Sequence, residues 1–297
     1  MPEDKYVRLA VAQTTVRENP RSSKELKDSG AEVRSLMHKA RAAGARVVQF
    51  PEGATCFPHK GLLSVDGPDE VGPSDWSRLR WDVLQEELAV TARLARELRL
   101  WTVLGSVHRL TAPNRPHNSL YVISDRGEVA TRYDERMLSH TKISYMYAPG
   151  STPVTFEVDG VRFGCTLGME AHFPELFGEY ERLDVDCVLF STTGGPVVGG
   201  GTAFATEMRA HAATNRYWAG FAVPAQHSDV TPAGIIGPDG EWAARCERDG
   251  TPSLTVADVG PQDPAGALAR PWRRKARAGL YDGHLVEDAR SEDRTLF

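Results

Sequence analysis

The sequence predicts an α/β domain in which helices cover the outside of sheets. Three observations predict it. Strand, helix and strand patterns follow one another twice within the first 107 residues. Antiparallel hairpin signals are interspersed among them. The chain of 297 residues, 41% hydrophobic and 25% charged, has the balance of an ordinary globular protein and can bury a sizeable core without staples.

The elements follow in order. Val7 to Gln13 alternates like a strand. From Glu25 to Ala43, the residues Leu26, Val33, Leu36, Met37 and Ala40 recur at helical spacing, and Gly44 ends the run. Arg46 to Phe50 is a second strand, closed by Pro51; a strand–helix–strand unit of this length implies parallel strands. Trp81 to Leu100 reads as a helix and Trp101 to Val107 as a buried strand. Asn118–Ser124 and Val129–Tyr133 flank a glycine-containing turn, Asp125-Arg-Gly127; Val154–Val158 and Val161–Cys165 flank Asp159-Gly160, a tight hairpin signal. A helix (Glu175–Arg182), a strand (Cys187–Ser191), a glycine-rich loop (Gly194–Gly201), a helix (Ala203–Asn215) and a strand (Trp218–Val223) come next. Ala233–Gly237 and Ser253–Asp258 are expected to pair around the turn Pro238-Asp-Gly240. The whole chain, 1–297, is read as one domain, with 261–297 a polar C-terminal tail.

Charge and composition exclude several functions. The net charge is −5, and the one short basic run, Arg270 to Arg277, is followed by Glu287, Asp288, Glu292 and Asp293, so nucleic-acid binding is not expected. No run of ~18 apolar residues exists to span a membrane. Cys56, Cys165, Cys187 and Cys246 are too scattered for a zinc site, and no metal or other cofactor is expected. Four such thiols behind a polar N-terminus lead to an expected cytoplasmic location.

Four segments, in order over roughly residues 6–260, carry a family resemblance. They are Val47-Val-Gln-Phe-Pro-Glu-Gly53; the block Asn118-Ser-Leu-Tyr, Asp125-Arg-Gly-Glu-Val, Arg132-Tyr-Asp and Tyr147-Ala-Pro-Gly150; Gly160-Val-Arg-Phe-Gly through Phe173-Pro-Glu-Leu-Phe177; and Arg209-Ala-His-Ala-Ala-Thr-Asn-Arg-Tyr-Trp218 with Gly237-Pro-Asp-Gly240. The chain resembles the nitrilase, or carbon–nitrogen hydrolase, superfamily. That resemblance implies a four-layer α-β-β-α sandwich. It also implies a small-molecule amide, nitrile or carbamoyl substrate, and a homodimer or larger even homo-oligomer. The tail segment Leu280–Val286 resembles segments that cross such interfaces. The family's site holds a Glu base, a Lys that stabilises an oxyanion and a Cys nucleophile, with a second Glu supporting the lysine in many members.

Mapped residue by residue, the resemblance places the base at Glu52, on a strand end where burial can raise a carboxylate's pKa. The lysine position holds Glu135, and the supporting-glutamate position holds Lys142. One reading is an exchanged ion pair that keeps the charge of the site. The alternatives are a drifted, solvated loop, or a register slip that brings Arg136 to the lysine position, where it could still hold an oxyanion. The nucleophile position, five residues before Phe173-Pro-Glu, holds Gly168. Cys165 is expected in the core on the opposite strand face, and Cys56 is a second-choice thiol near the pocket. Glu170 and His172 follow Gly168 and are expected at the pocket rim. Tyr145, Met146, Tyr147 and Phe57 are pocket-lining or core residues. The loop Gly194–Gly201 lacks the phosphate-cradling pattern and is read as a pocket loop.

Without a covalent nucleophile the usual acyl-enzyme route is not expected. The first functional reading is a repurposed enzyme in which Glu52, Lys142, Glu135 and Glu170 perform acid–base chemistry on a small nitrogen-containing molecule. The second is an inactive relative that binds a metabolite or holds a partner enzyme. The third is residual family chemistry through Cys56 or water.

Overall fold

Alternation along the first strand sets the layering. In the computed structural model, which describes residues 6–194, 202–261, 269–292 and 294–295, β1 (Val7–Gln13) turns Leu9 and Val11 into the core between two sheets, and Ala10 and Ala12 toward outer helices. The elements that follow are α1 (Ser23–Ala42), β2 (Val47–Gln49), the short α2 (Lys60–Leu63), α3 (Trp81–Leu98), β3 (Trp101–His108), β4 (His117–Ile123), β5 (Val129–Asp134), β6 (Thr155–Val158), β7 (Val161–Leu167), α4 (Pro174–Arg182), β8 (Cys187–Ser191), α5 (Ala203–Asn215), β9 (Trp218–Ala222), β10 (Gly234–Ile236), β11 (Trp242–Arg245) and β12 (Ser253–Val259). One six-stranded sheet runs β12-β1-β2-β3-β4-β5 and the other β11-β10-β9-β8-β7-β6. Each has three parallel strands at its centre (β1, β2, β3 and β7, β8, β9) and antiparallel strands outside them.

The helices form because their apolar residues fall on one stripe. Leu26, Val33, Leu36, Met37 and Ala40 of α1 are buried, and Ser22 caps its start by accepting from the Glu25 amide at 3.2 Å. Gly30 lets α3 approach: a Cβ there would lie 1.9 Å from a Glu87 carboxylate oxygen, and Arg34 pairs with Glu87 at 2.7 Å. The expected Asp159-Gly160 hairpin is present, with φ of 49° and 84°, the pair of positive angles a two-residue type I′ turn demands.

One pairing differs from the sequence reading. The turn Pro238-Asp-Gly240 joins β10 to β11, whose burial alternates weakly at a sheet edge. Ser253–Val259 instead crosses to the other sheet and pairs antiparallel with all of β1, from Val7↔Val259 to Gln13↔Ser253. Apart from the exposed Arg8, its partners on β1 are buried, so β12 closes that sheet's edge rather than extending the hairpin.

The chain divides into a unit of residues 1–261 and a C-terminal unit of residues 262–297. Within it, Ala269–Lys275 and Ala289–Glu292 are helical, and Trp272, Tyr281, Leu285 and Val286 are exposed. No helix among the described residues is long and apolar enough to cross a membrane.

Beneath the ends of the parallel strands the two sheets are stitched together. Gln49 is fully buried; its side-chain amide donates to the carbonyl of Phe190 at 2.8 Å and to Ser191 Oγ at 3.1 Å. Ser191 Oγ donates in turn to the Phe50 carbonyl at 2.8 Å. Gly220 must lack a side chain, because a Cβ there would lie 2.0 Å from Gln49 Oε1. The residues just past β2 and β8 are thereby held at fixed separation.

Candidate active site

Immediately above this stitch, Glu52 turns into the interior between the sheets with 1% of its surface exposed. Oε1 accepts from Lys142 Nζ at 2.5 Å and from Asn118 Nδ2 at 2.8 Å. Oε2 accepts from the Thr193 amide at 2.9 Å and from Thr193 Oγ1 at 3.3 Å. The turn after β2 supplies the glutamate, β4 the asparagine, and the residues after β8 the threonine.

Glu135 follows β5 and is fully buried. Its Oε2 accepts from Lys142 Nζ at 2.7 Å and from Asn118 Nδ2 at 2.6 Å; Oε1 is buried without a hydrogen-bond partner. One ammonium and one carboxamide therefore lie between two carboxylates. Burial raises the Glu135 pKa to about 7, with the Lys142 charge opposing and Glu52 adding to the rise. For Lys142, burial acts to lower the pKa, but attraction to Glu135 and Glu52 outweighs it and raises the pKa. The lysine thus stays a cation and a donor, while Glu135 can hold a proton near neutrality. Lys142, not Arg136, meets Glu52. The Arg136 guanidinium is engaged elsewhere, with Glu179 at 2.8 Å and Tyr133 Oη at 3.2 Å.

Gly168 begins the turn after β7 with φ of +57°, in the left-handed region. A Cβ at this position would lie 2.5 Å from Glu135 Oε1 and 3.1 Å from Lys142 Nζ. The Glu135 carboxyl therefore occupies the space that any side chain at 168 would need.

A cavity of about 360 Å³ opens over Glu52, Lys142 and Gly168. Lys60, Ser139, His172 and Thr193 contribute its polar lining, and Phe57, Met169 and Phe204 its apolar walls. His172 lines it while its Nδ1 lies 2.7 Å from Glu207 and its ring stacks on Phe204.

Other residues singled out in the sequence lie elsewhere. Glu170, expected at the rim, is fully buried on the far side of the turn. It accepts from the amides of Leu167 (2.8 Å), Arg136 (2.6 Å) and Met137 (3.2 Å) and from Tyr133 Oη (2.7 Å). Burial raises its pKa, and these bonds oppose the rise. It ties the loop after β5 to the turn after β7 and leaves no oxygen for a substrate. Cys56 packs with Leu26 and Val83 outside the cavity, and burial pushes its thiol up to about 12, the opposite of an activated nucleophile. Tyr145 packs beside the cluster of Leu63, Leu79, Met146 and Tyr147, and so does not line the cavity; of the four apolar candidates only Phe57 does. Cys165 lies in the core between the sheets, as its strand parity predicts. No cysteine lines the cavity among the described residues; of the glycine-rich loop, 195–201 lie outside them.

Three site residues carry no mark in the sequence reading. Asn118 stands in a family motif at the start of β4, which is the signal for it, but the motif gives it no role. Thr193 and Lys60 are single polar residues in loops, where no periodicity marks them.

Comparison with known proteins agrees with this architecture. Two curated relatives, Hydrolase Rv0480c and Hydrolase MT0498, from two strains of Mycobacterium tuberculosis, are each 26% identical over 286 residues, covering 89% of this chain and 93% of the relative. Among solved structures, a variant of the Nesterenkonia AN1 amidase from the nitrilase superfamily superposes with a TM-score of 0.71 at 16% identity, covering 96% of this chain and 99% of that one. Another variant of the Nesterenkonia sp. AN1 amidase, with the acetamide moiety of fluoroacetamide added covalently at its active-site cysteine, gives 0.71 at 16% identity over 96% and 98%. These structures share the fold, and the carbon–nitrogen hydrolase family profile matches residues 8–265. With two facing sheets between helices and a buried glutamate–lysine site where their strand ends converge, the chain belongs to the carbon–nitrogen hydrolase family.

Proposed function

We propose that this chain is a repurposed member of its family that acts on a carbon–nitrogen bond of a small molecule by non-covalent acid–base chemistry. The observation that carries the reading is the buried Glu52–Lys142–Glu135 group beneath an open cavity, with glycine at 168. Charged groups gathered in a cleft are costly to bury, which marks them as functional candidates. The solved neighbours are amidases, so amides are the first compounds to test.

In this reading water replaces the covalent nucleophile. Thr193 Oγ1, at 3.3 Å, makes the longest of the four contacts to Glu52 and is the one a water displaces. Glu52 takes a proton as the water oxygen bonds to the amide carbon. Lys142 donates to the oxyanion that develops. Glu52 then returns the proton to the nitrogen as the carbon–nitrogen bond breaks, giving an acid and an amine or ammonia. Glu135 holds Lys142 in place and buffers its charge.

The test is turnover of a panel of amides, nitriles and N-carbamoyl compounds, followed by mass spectrometry with wild type and Glu52→Gln. The expected result is a product that vanishes in a variant whose Tm is unchanged. Full activity in that variant sinks the proposal.

A second reading is an inactive member that binds a metabolite or holds a partner enzyme. It is favoured by one observation: all contacts on both Glu52 oxygens are already made within the chain. It predicts ligand-induced stabilisation without product. Self-association into dimers or larger even assemblies is part of the proposal, and light scattering tests it.

A further inference from the structure

We propose that Lys60 receives an anionic group of the ligand, so that the cavity selects a small acid carrying its carbon–nitrogen group at the other end. The placement of that second end rests on the functional reading above; the anion site does not.

Charge matching singles Lys60 out. Of the basic side chains lining the cavity, Lys142 is held by two carboxylates at 2.5 and 2.7 Å, and His172 lies 2.7 Å from Glu207. Lys60 is half-buried, yet its ammonium makes no salt bridge or hydrogen bond among the described residues. Burial lowers its pKa and the nearby Lys142 charge adds to this, with Glu52 opposing. A partly desolvated cation beside another cation is unfavourable, and an anion bound in the cavity relieves that cost.

The rest of the lining limits what the anion can be attached to. Phe57, Met169 and Phe204 present apolar surface, which suits a short hydrocarbon body. Glu52 at the floor repels a second negative charge there and accepts N–H groups. The Lys142 charge is already matched by two carboxylates, so its one remaining N–H serves a neutral oxygen of the ligand rather than a free anion. The complementary molecule carries one negative charge, a compact apolar middle and a neutral nitrogen-bearing group.

Unbranched ω-carboxy primary amides of two to five methylenes, and the matched neutral diamides, are the probes. Each is titrated calorimetrically into wild type, Lys60→Met and Lys60→Arg, with ammonia release measured in parallel. Wild type is expected to bind at least one acid roughly tenfold to a hundredfold tighter than its diamide, the range of a charge-assisted hydrogen bond. Lys60→Met loses that preference while keeping affinity for the diamide, and Lys60→Arg keeps most of it. Equal affinities for acid and diamide in wild type, no binding of any acid, or a preference that survives in Lys60→Met overturns the proposal. Ammonia release reports separately on the chemistry. A Lys60-dependent preference without release refutes hydrolysis of these amides and leaves the anion site standing. Release without a preference does the reverse.

Discussion

Two strand ends meet at the cavity floor, and they solve the same turn differently. After β2 the chain runs Phe50-Pro51-Glu52-Gly53, and Gly53 takes the left-handed conformation with φ of +60°. After β7 it runs Leu167-Gly168, and Gly168 itself takes φ of +57°. At the first turn the side chain and the permissive glycine are neighbours, so the carboxylate is retained. At the second a single residue supplies the backbone angle and has no side chain, and Glu135 from the neighbouring sheet fills the space. A turn that separates its backbone and chemical duties keeps its reactive group. A turn that joins them in one glycine carries no side chain of its own, and a neighbour takes the space.

The sharpest way to break this comparison is to remove the cation that serves both ends. Lys142→Met leaves Glu52 and Glu135 facing each other without a counter-charge and is expected to cost about 3–5 kcal/mol at pH 8 by urea denaturation. The two carboxylates would then titrate higher in the folded chain than in the unfolded one. The variant's stability should be greatest in acid and fall as pH rises from about 5 to 8, because the unfolded chain gives up its protons first.

Next in size, Gly168→Ala is expected to cost roughly 2–4 kcal/mol, from a left-handed alanine and from displacement of a buried carboxyl. If Glu135 is the obstacle, Glu135→Ala should relieve part of that cost, giving a coupling of at least about 1 kcal/mol in a double-mutant cycle. Additive costs would separate the glycine from the glutamate. Gly53→Ala, whose Cβ would lie 2.8 Å from Phe57 Cβ and 3.0 Å from Phe57 Cα, should cost about 1–3 kcal/mol and show no coupling to Glu135.

Smallest and most specific is a pH effect. Glu135, with a folded pKa raised to about 7, contributes stability that is fully present below its unfolded value near 4.5 and is lost as pH rises through 7. Glu135→Gln should remove that decline, so the stability difference between variant and wild type moves in the variant's favour between pH 5 and pH 8. Parallel curves across that range would show that Glu135 is already ionised at pH 5.

Much of this was legible in the sequence because it is periodic. The inward and outward residues of β1, the buried stripe of α1 and the two hairpin turns follow from spacing alone. The partner of Ser253–Val259 does not, because Trp242–Arg245, short and half-exposed at a sheet edge, looks like loop and leaves Ser253–Asp258 as the next clear strand after Ala233–Gly237. In the site, the family resemblance marks Glu52 at a strand end after Pro51, and Glu135 and Lys142 by charges that depart from the family's pattern. Glu170 was misplaced because the turn after β7 rotates it behind Gly168, which linear proximity cannot reveal. Lys60 and Thr193 come to the cavity through tertiary contact only.

The stitch of Gln49, Ser191 and Gly220 has a bearing on how such a site can change over generations. Each half of the molecule contributes one parallel three-strand core, and the two are pinned where their tips converge. Substitutions at the tips therefore act on a frame that keeps its spacing. A substitution at one tip leaves the group carried by the other tip in place, and the cavity lining can change without rebuilding the scaffold.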